Sequence, residues 1–348
     1  MSSTLAAPLA PLTTLRVGGP AGRLVAAATE DELVDAVSTA DAHGEPLLLL
    51  AGGSNVVIAD EGFPGLVVRV ETRGTSRTPG PDGRMAVEVA AGEPWDGVVA
   101  ACVADGLTGL ECLSGIPGST GATPIQNVGA YGQEVADTIV AVRALDRARG
   151  EPVEMSQVEC GLRYRSSALR GDERYVVLSV TFALARGDES EAICYPELAR
   201  RLGVGVGERA PLADVREAVL DLRRSKGMVI DPSDPDSVSV GSFFTNPILE
   251  PGAFADLQAR AAERVPAYPE PDGRVKTSAA WLIERAGFTR GYGEGRVGLS
   301  TKHTLAIVNR GGASAAEVIE LARELAGGVE DAFGIALVPE PALVGLRW

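Results

Sequence analysis

The sequence has little from which to build a metal centre or a disulfide framework. Its 348 residues include two histidines, His43 and His303, and four cysteines. Cys102, Cys112, Cys160 and Cys194 form no CxxC pair and no His/Cys cluster, so no metal site is expected. So few thiols in such a length read as small, buried, reduced side chains of a cytoplasmic protein. Lysine is nearly absent, with Lys226, Lys276 and Lys302 alone against a background of arginine. Positive charge is in deficit: 32 basic and 47 acidic residues give a formal net charge of −15. That excludes the clustered basic surface of a nucleic-acid binder and simple adhesion to an anionic membrane. Long apolar runs are missing too. The longest, at 47–58, is broken by Ser54 and Asn55, and a spanning helix needs ~20 apolar residues. No basic region precedes the apolar residues near the N-terminus, so no secretion signal is expected.

Glycine, by contrast, is in excess. There are 42, about 12% of the chain, where ~7% is typical. A hydrophobic fraction of 45% still argues for packed cores, and the length for two to three domains. Strands are predicted at 23–28, 46–51, 56–58, 65–70, 85–90, 138–145, 174–184 and 335–345. The all-apolar run at 46–51 suggests a strand buried on both faces. Thr29 with Glu32 is a capping box, and Leu33, Ala36, Val37 and Ala40 follow at helical spacing up to Gly44. Further helices are predicted at 95–104, 212–224, 253–263, 279–286 and 314–326. Residues 72–84 read as a linker, 149–151 as a turn, and the Asp/Pro/Ser-rich 230–237 as exposed.

Two glycine-rich segments need a reason. Gly52-Gly53-Ser54-Asn55 leaves the apolar strand, and 111–135 holds Gly115, Gly118, Gly121, Gly129 and Gly132 with no helix or long strand. Ordered loops of that length are usually functional. No GxxxxGK[ST] and no strand-following GxGxxG is present, which removes the two commonest phosphate-binding signatures. Glycine permits positive φ and lets successive N–H groups converge on an anion, so a pyrophosphate held by both loops is one reading. Two ordinary turns is the other.

The residues themselves resemble a known family. Gly52-Gly53-Ser54-Asn55, Ile116-Pro117-Gly118-Ser119-Thr120-Gly121-Ala122 and Pro124-Ile125-Gln126-Asn127-Val128-Gly129-Ala130-Tyr131-Gly132 closely resemble the MurB family, the UDP-N-acetylenolpyruvoylglucosamine reductases. Tyr164-Arg165, Gly241-Ser242-Phe243-Phe244-Thr245-Asn246-Pro247, Ala280-Trp281-Leu282-Ile283, Ala306-Ile307-Val308-Asn309 and Pro339-Glu340 agree in the same order. The resemblance runs from about residue 13 to the end. It implies an α+β protein with an FAD-binding fold of the vanillyl-alcohol-oxidase (PCMH) type in two lobes, plus a separate α+β substrate-binding domain. The expected boundaries are 1–75 for the first lobe, completed by a strand at 335–348, then 76–222 for the second lobe and 223–334 for the substrate domain.

The resemblance implies noncovalent FAD, NADPH as co-substrate, and UDP-N-acetylglucosamine enolpyruvate as acceptor, giving UDP-N-acetylmuramate for peptidoglycan synthesis in the cytoplasm. A monomer is expected. Hydride would reach the enolpyruvyl β carbon from flavin N5, with Ser242 as proton donor to the α carbon. Arg165 and Glu340 would flank the substrate carboxylate, where a planar permanent cation suits such a group. Gly52, Gly53, Ser54, Asn55, Ile116, Pro117, Gly118, Ser119, Gly121, Ala122, Asn127, Gly129, Ala130 and Tyr131 would hold the cofactor. Tyr164, Tyr195, Arg223, Lys226, Asn246 and His303 would contact the UDP sugar, Tyr195 as the loop tyrosine that one subgroup carries. Each also has an ordinary reading: a turn for Ser242, surface charge for Arg165 and Glu340, packing for Tyr195, helix-end cations for Arg223 and Lys226. Two places depart from relatives, Ala342 for an Arg and Thr245 for a Lys. A related FAD-dependent sugar or aldonolactone oxidoreductase is the alternative. Such enzymes often tether flavin through His, and neither histidine here lies in a glycine-rich loop.

Overall fold

The computed structural model describes residues 3–348, which form two compact units. The first comprises Ala21–Gly53 and Pro64–Ser225 with the N-terminal residues up to Ala7; the second comprises Pro8–Pro20, Ser54–Phe63 and Lys226–Trp348. Among the described residues no helix is long and apolar enough to cross a membrane.

The first unit contains two larger sheets beside the two-stranded ribbon of Gly129–Ala130 and Gln133–Glu134. One has the strand order Ser3–Leu5, Ala21–Ala27, Phe63–Val70, Leu47–Leu50, with the last two parallel. The helix Glu30–His43 starts at the capping box read from the sequence, with both reciprocal bonds present, and ends at Gly44 in the left-handed conformation. Its Leu33, Ala36, Val37 and Ala40 bury against Val25, Ala27, Leu66 and Val68. Leu47–Leu50 is the edge strand, so Leu47, Leu48 and Leu49 are only half-buried rather than covered on both faces.

The second sheet is antiparallel, in the order Glu151–Ser156, Ile139–Asp146, Tyr175–Arg186, Met85–Ala90, Thr75–Pro79. The register shifts where Arg143 faces Ser179 and Ala144 faces Val177, leaving Leu178 as an extra residue. One extra residue reverses which face the following side chains take. Val176 and Leu178 accordingly join the core of the helix Glu30–His43. Val180, Phe182 and Leu184 join the core under the helix Trp95–Ala104. Trp95 packs on Phe182 with ring centroids 5.6 Å apart. Both edge strands of this sheet lie outside the expected set. Thr75–Pro79 lies inside the expected linker, an edge strand exposed along its length, and Glu151–Ser156 follows the expected turn. The helices Pro196–Leu202 and Leu212–Arg224 close a third core around Cys112, Ile193 and Val219, with Tyr131 at its margin. Cys102, Cys112 and Cys160 are buried as expected, but Cys194 is exposed at the start of this helical pair.

The second unit is built on the helix Ala315–Phe333, packed against Ala279–Arg285 and the hairpin Val297–Leu299/Ile307–Asn309. The helix passes through Gly327 and Gly328 instead of stopping near 326. A Cβ on Gly328 would stand 2.5 Å from the Phe288 ring, so the glycine is a packing choice inside the helix rather than a stop. The expected terminal strand is short: only Ala342–Val344 pairs, parallel to Val56–Ile58. Residues 230–237 are not wholly exposed. Asp236 and Ser237 are buried because the Asp236 carboxylate accepts from the Thr301 amide (2.9 Å) and hydroxyl (2.6 Å).

Candidate active site

Within the first unit the two glycine loops meet backbone to backbone. A Cβ on Gly52 would lie 2.6 Å from the Cα of Gly118, a separation side chains do not tolerate. The 114–123 loop is bound to the residues before the helix Trp95–Ala104. The Trp95 amide donates to the Gly118 carbonyl (3.0 Å), the Thr120 amide to Glu93 (2.9 Å) and the Gly121 amide to Ala91 (2.8 Å). At Gly121 a Cβ would come within 2.5 Å of the Ala91 Cβ. Gly53 and Gly118 have φ of 60° and 119°, which glycine adopts at little cost. Residues 51–53 and 114–123 carry no acidic side chain in a chain of net charge −15, and supply backbone amides and hydroxyls beside a helix N-terminus. That donor set fits a diphosphate-bearing cofactor. Asp96, in the first turn of the helix, takes the Gly115 amide at 2.6 Å and the Arg216 guanidinium at 2.7 Å. Burial alone would raise its carboxyl, but these bonds and the charges of Arg216 and Arg223 hold it below its ordinary value.

Five tyrosine and arginine candidates lie in the same unit. Tyr164 and Arg165 form the tip of a turn closed by Arg163 and Ser166, and Arg165 has φ of 49°. Its guanidinium donates to the Gly129 carbonyl (2.7 Å) and to the Asn127 carbonyl (3.4 Å). Tyr131 meets Tyr195 edge-on, ring centroids 5.3 Å apart, and Arg223 is buried beside Tyr131 and Asp96. Desolvation lowers the Arg223 pKa, and it pushes the Tyr131 phenol up to about 12. Asn127 is buried, with its amide bonded to Glu134, the Arg163 carbonyl and the Ala136 amide. Ile116, Pro117 and Ala122 are half-buried in the loop, Ser119 is buried, and Gly129 and Ala130 form the short strand opposite Gln133–Glu134.

In the second unit, Ser242 follows Gly241, whose φ of 74° demands glycine although nothing crowds its missing Cβ. The segment after it is stitched on two sides. The Phe243 amide donates to the Leu305 carbonyl (2.7 Å), and its carbonyl accepts from the Glu340 amide (2.8 Å). Phe244 bridges Pro339, and the Thr245 amide reaches the Val338 carbonyl at 3.1 Å. Phe243 and Phe244 are fully buried while Ser242 and Glu340 are half-buried. Asn55 joins them: its amide donates to the Glu340 carbonyl (3.4 Å) and its carbonyl accepts from Ala342 (3.0 Å). Ser54 is half-buried in the same segment. His303 heads the turn that reaches Leu305, its amide on the Ser300 hydroxyl at 3.2 Å. The Asn246 side-chain oxygen takes the Ala279 amide (3.0 Å) at the start of the helix Ala279–Arg285, and Lys226 is half-buried where this unit resumes.

Two contributors escaped the sequence reading. Glu111 is fully buried, and its carboxylate accepts from the Gly109 amide (2.7 Å), Gln133 (2.8 Å) and the Glu191 amide (3.1 Å). It ties the glycine-rich loop to the segment that leads to Tyr195. A carboxylate between Leu110 and Cys112-Leu113 was the available signal. Asp236, which fixes the turn before His303, carried no such mark.

Residues 21–156 match the FAD binding domain family, and residues 232–344 match the UDP-N-acetylenolpyruvoylglucosamine reductase C-terminal domain. A UDP-N-acetylenolpyruvoylglucosamine reductase of Thermobifida fusca is 56% identical over 345 residues, 97% of each chain. One of Streptomyces avermitilis is 56% identical, covering 98% of this chain and 94% of that protein. The crystal structure of the Thermus caldophilus reductase superposes with a TM-score of 0.67 at 26% identity, covering 99% of this chain and 98% of that one. The chain belongs to the UDP-N-acetylenolpyruvoylglucosamine reductase family, and is an FAD-dependent oxidoreductase of peptidoglycan synthesis.

Proposed function

We propose that the protein reduces UDP-N-acetylglucosamine enolpyruvate to UDP-N-acetylmuramate at the expense of NADPH, in the cytoplasm and as a monomer. FAD, when bound, supplies the two-electron carriage between NADPH and the enolpyruvyl double bond. The observation that supports the reading is the backbone stitch in which the Phe243 carbonyl, next to Ser242, accepts from the Glu340 amide.

Hydride arrival at the β carbon leaves charge at the α carbon, delocalised into the carboxylate. Ser242 gives its hydroxyl proton to the α carbon. A serine is a weak acid, but an enolate-like carbanion is a strong base, so the transfer is downhill once a neighbouring group stabilises the alkoxide. Phe243 and Phe244 keep water from competing for that base. Arg165 holds the substrate carboxylate with a fixed cation, and Glu340 hydrogen-bonds its second oxygen or returns the proton to Ser242. The backbone amides and hydroxyls of 52–55 and 116–122, with Asn127 and the 129–131 strand, hold the flavin. Tyr164, Tyr195, Arg223, Lys226, Asn246 and His303 bind the UDP sugar, Tyr195 from an exposed position that suits a closing residue. In this reading 1–75 with 335–348 and 76–222 serve the cofactor, and 223–334 the substrate.

The test is direct. The purified protein should be yellow, and NADPH oxidation should depend on the enolpyruvyl sugar. A colourless protein that FAD does not reconstitute ends the reading. Flavin reduced by NADPH but not reoxidised by the sugar rejects this acceptor.

A further inference from the structure

We propose that Glu134, acting through Asn127, is the positioning residue that aims Arg165. The inference rests on the proposed role of Arg165 at the substrate carboxylate. Arg163 and Ser166 exchange both backbone hydrogen bonds, at 2.9 and 3.0 Å, so Tyr164 and Arg165 have only a two-residue turn to stand on. Arg165 sits there at φ 49°, a conformation that costs a non-glycine residue ~1–2 kcal/mol and persists only where surrounding bonds over-determine it.

Those bonds converge on Asn127. Its carbonyl and the Gly129 carbonyl take the Arg165 guanidinium, while its side-chain amide donates to the Arg163 carbonyl at 3.2 Å, at the base of the turn. One buried residue therefore holds both the Arg165 guanidinium and the base of the turn that carries it. An asparagine amide has two faces that differ only in which atom donates, and Glu134 adds a charged acceptor to the Arg163 carbonyl and Ala136 amide that together fix its orientation. Its carboxylate can only accept, and it takes the Asn127 amide at 2.6 Å. That fixes the nitrogen toward the Arg163 carbonyl and leaves the oxygen for the Ala136 amide at 3.0 Å. Reversed, the amide would set oxygen against the carbonyl of Arg163 and nitrogen against the amide of Ala136. Glu134 pairs directly across from Gly129, where a Cβ would stand 2.7 Å from the Glu134 Cγ and 3.2 Å from the Arg165 Nη1. Glycine at 129 is what lets the carboxylate stem and the guanidinium share one face.

The experiment uses the flavin-loaded enzyme and the isosteric variant Glu134→Gln, which replaces the charge-assisted anchor on the Asn127 amide with a weaker neutral one. Flavin reduction by NADPH should stay within about twofold of the parent. Flavin reoxidation by saturating enolpyruvyl sugar should fall at least about tenfold, because an ångström of misplacement is worth that much or more. The double variant Glu134→Gln/Arg165→Ala should be no slower than Arg165→Ala alone, since both changes remove one contribution. Amide exchange at Ser166, read without substrate, should rise at least about tenfold. A parent enzyme that never reoxidises with the sugar would reject the proposed acceptor, and the Ser166 exchange would then decide the positioning claim alone. Unchanged reoxidation and unchanged Ser166 exchange in Glu134→Gln overturn the inference. So do losses that multiply with Arg165→Ala, which would mean that Glu134 acts elsewhere.

Discussion

Replacing Glu111 should cost more stability than replacing any exposed acid of this chain. The carboxylate is fully buried and accepts from the Gly109 amide, Gln133 and the Glu191 amide within 3.1 Å, with the Thr108 hydroxyl at 3.4 Å. Truncation to alanine leaves at least three buried donors without an acceptor. Each orphaned group costs ~1–3 kcal/mol, and water entering the space offsets part of it, so a loss of about 3–5 kcal/mol is expected. Glu111→Gln keeps the shape but turns an amide NH₂ toward donors, and should cost about 2–3 kcal/mol. Trp95 reports locally, because its indole N–H donates to the Leu113 carbonyl at 3.3 Å, two residues past Glu111. Urea unfolding followed by tryptophan fluorescence in a Trp281→Phe/Trp348→Phe background would read the change. A Glu111→Gln variant within about 0.5 kcal/mol of its parent would refute the reasoning, since the bonds would then contribute nothing beyond what water supplies.

Two other expectations follow from the same geometry. Gly52→Ala places a Cβ against the Gly118 backbone and should weaken FAD binding at least about tenfold, measured by flavin fluorescence on dilution; unchanged affinity would show that the loop contact is not needed. The Tyr131 phenol is pushed up to about 12 from its ordinary 10 by burial, so the folded state holds that proton more tightly than the unfolded chain. Stability is therefore fully present below pH 10 and is lost as pH rises toward 12, and Tyr131→Phe should flatten that loss in alkaline unfolding curves.

Much of this was legible in the sequence, for local reasons. The capping box at Thr29 is decided by residues three apart, and the order of the glycine loops survives in one dimension. What was not legible depends on partners distant in the chain. The extra residue at Leu178 reverses a strand's faces only because Arg143 and Ala144 lie opposite. Thr75–Pro79 has turn-former composition and becomes a strand because Met85–Ala90 offers a free edge. Gly327-Gly328 looks like a helix stop until Phe288 fills the space. At the site, Ser242, Arg165 and Glu340 were named from resemblance, whereas the buried acids Glu111 and Asp236 and the half-buried Glu134 are known only from what they bind.

Rapid mixing tests Ser242 as proton donor most directly. In Ser242→Ala the reduction of bound flavin by NADPH should proceed at nearly the parental rate. Reoxidation by UDP-N-acetylglucosamine enolpyruvate should fall by about a thousandfold or more, as befits loss of a general acid. Equal slowing of both half-reactions, or reoxidation at the parental rate, would contradict it.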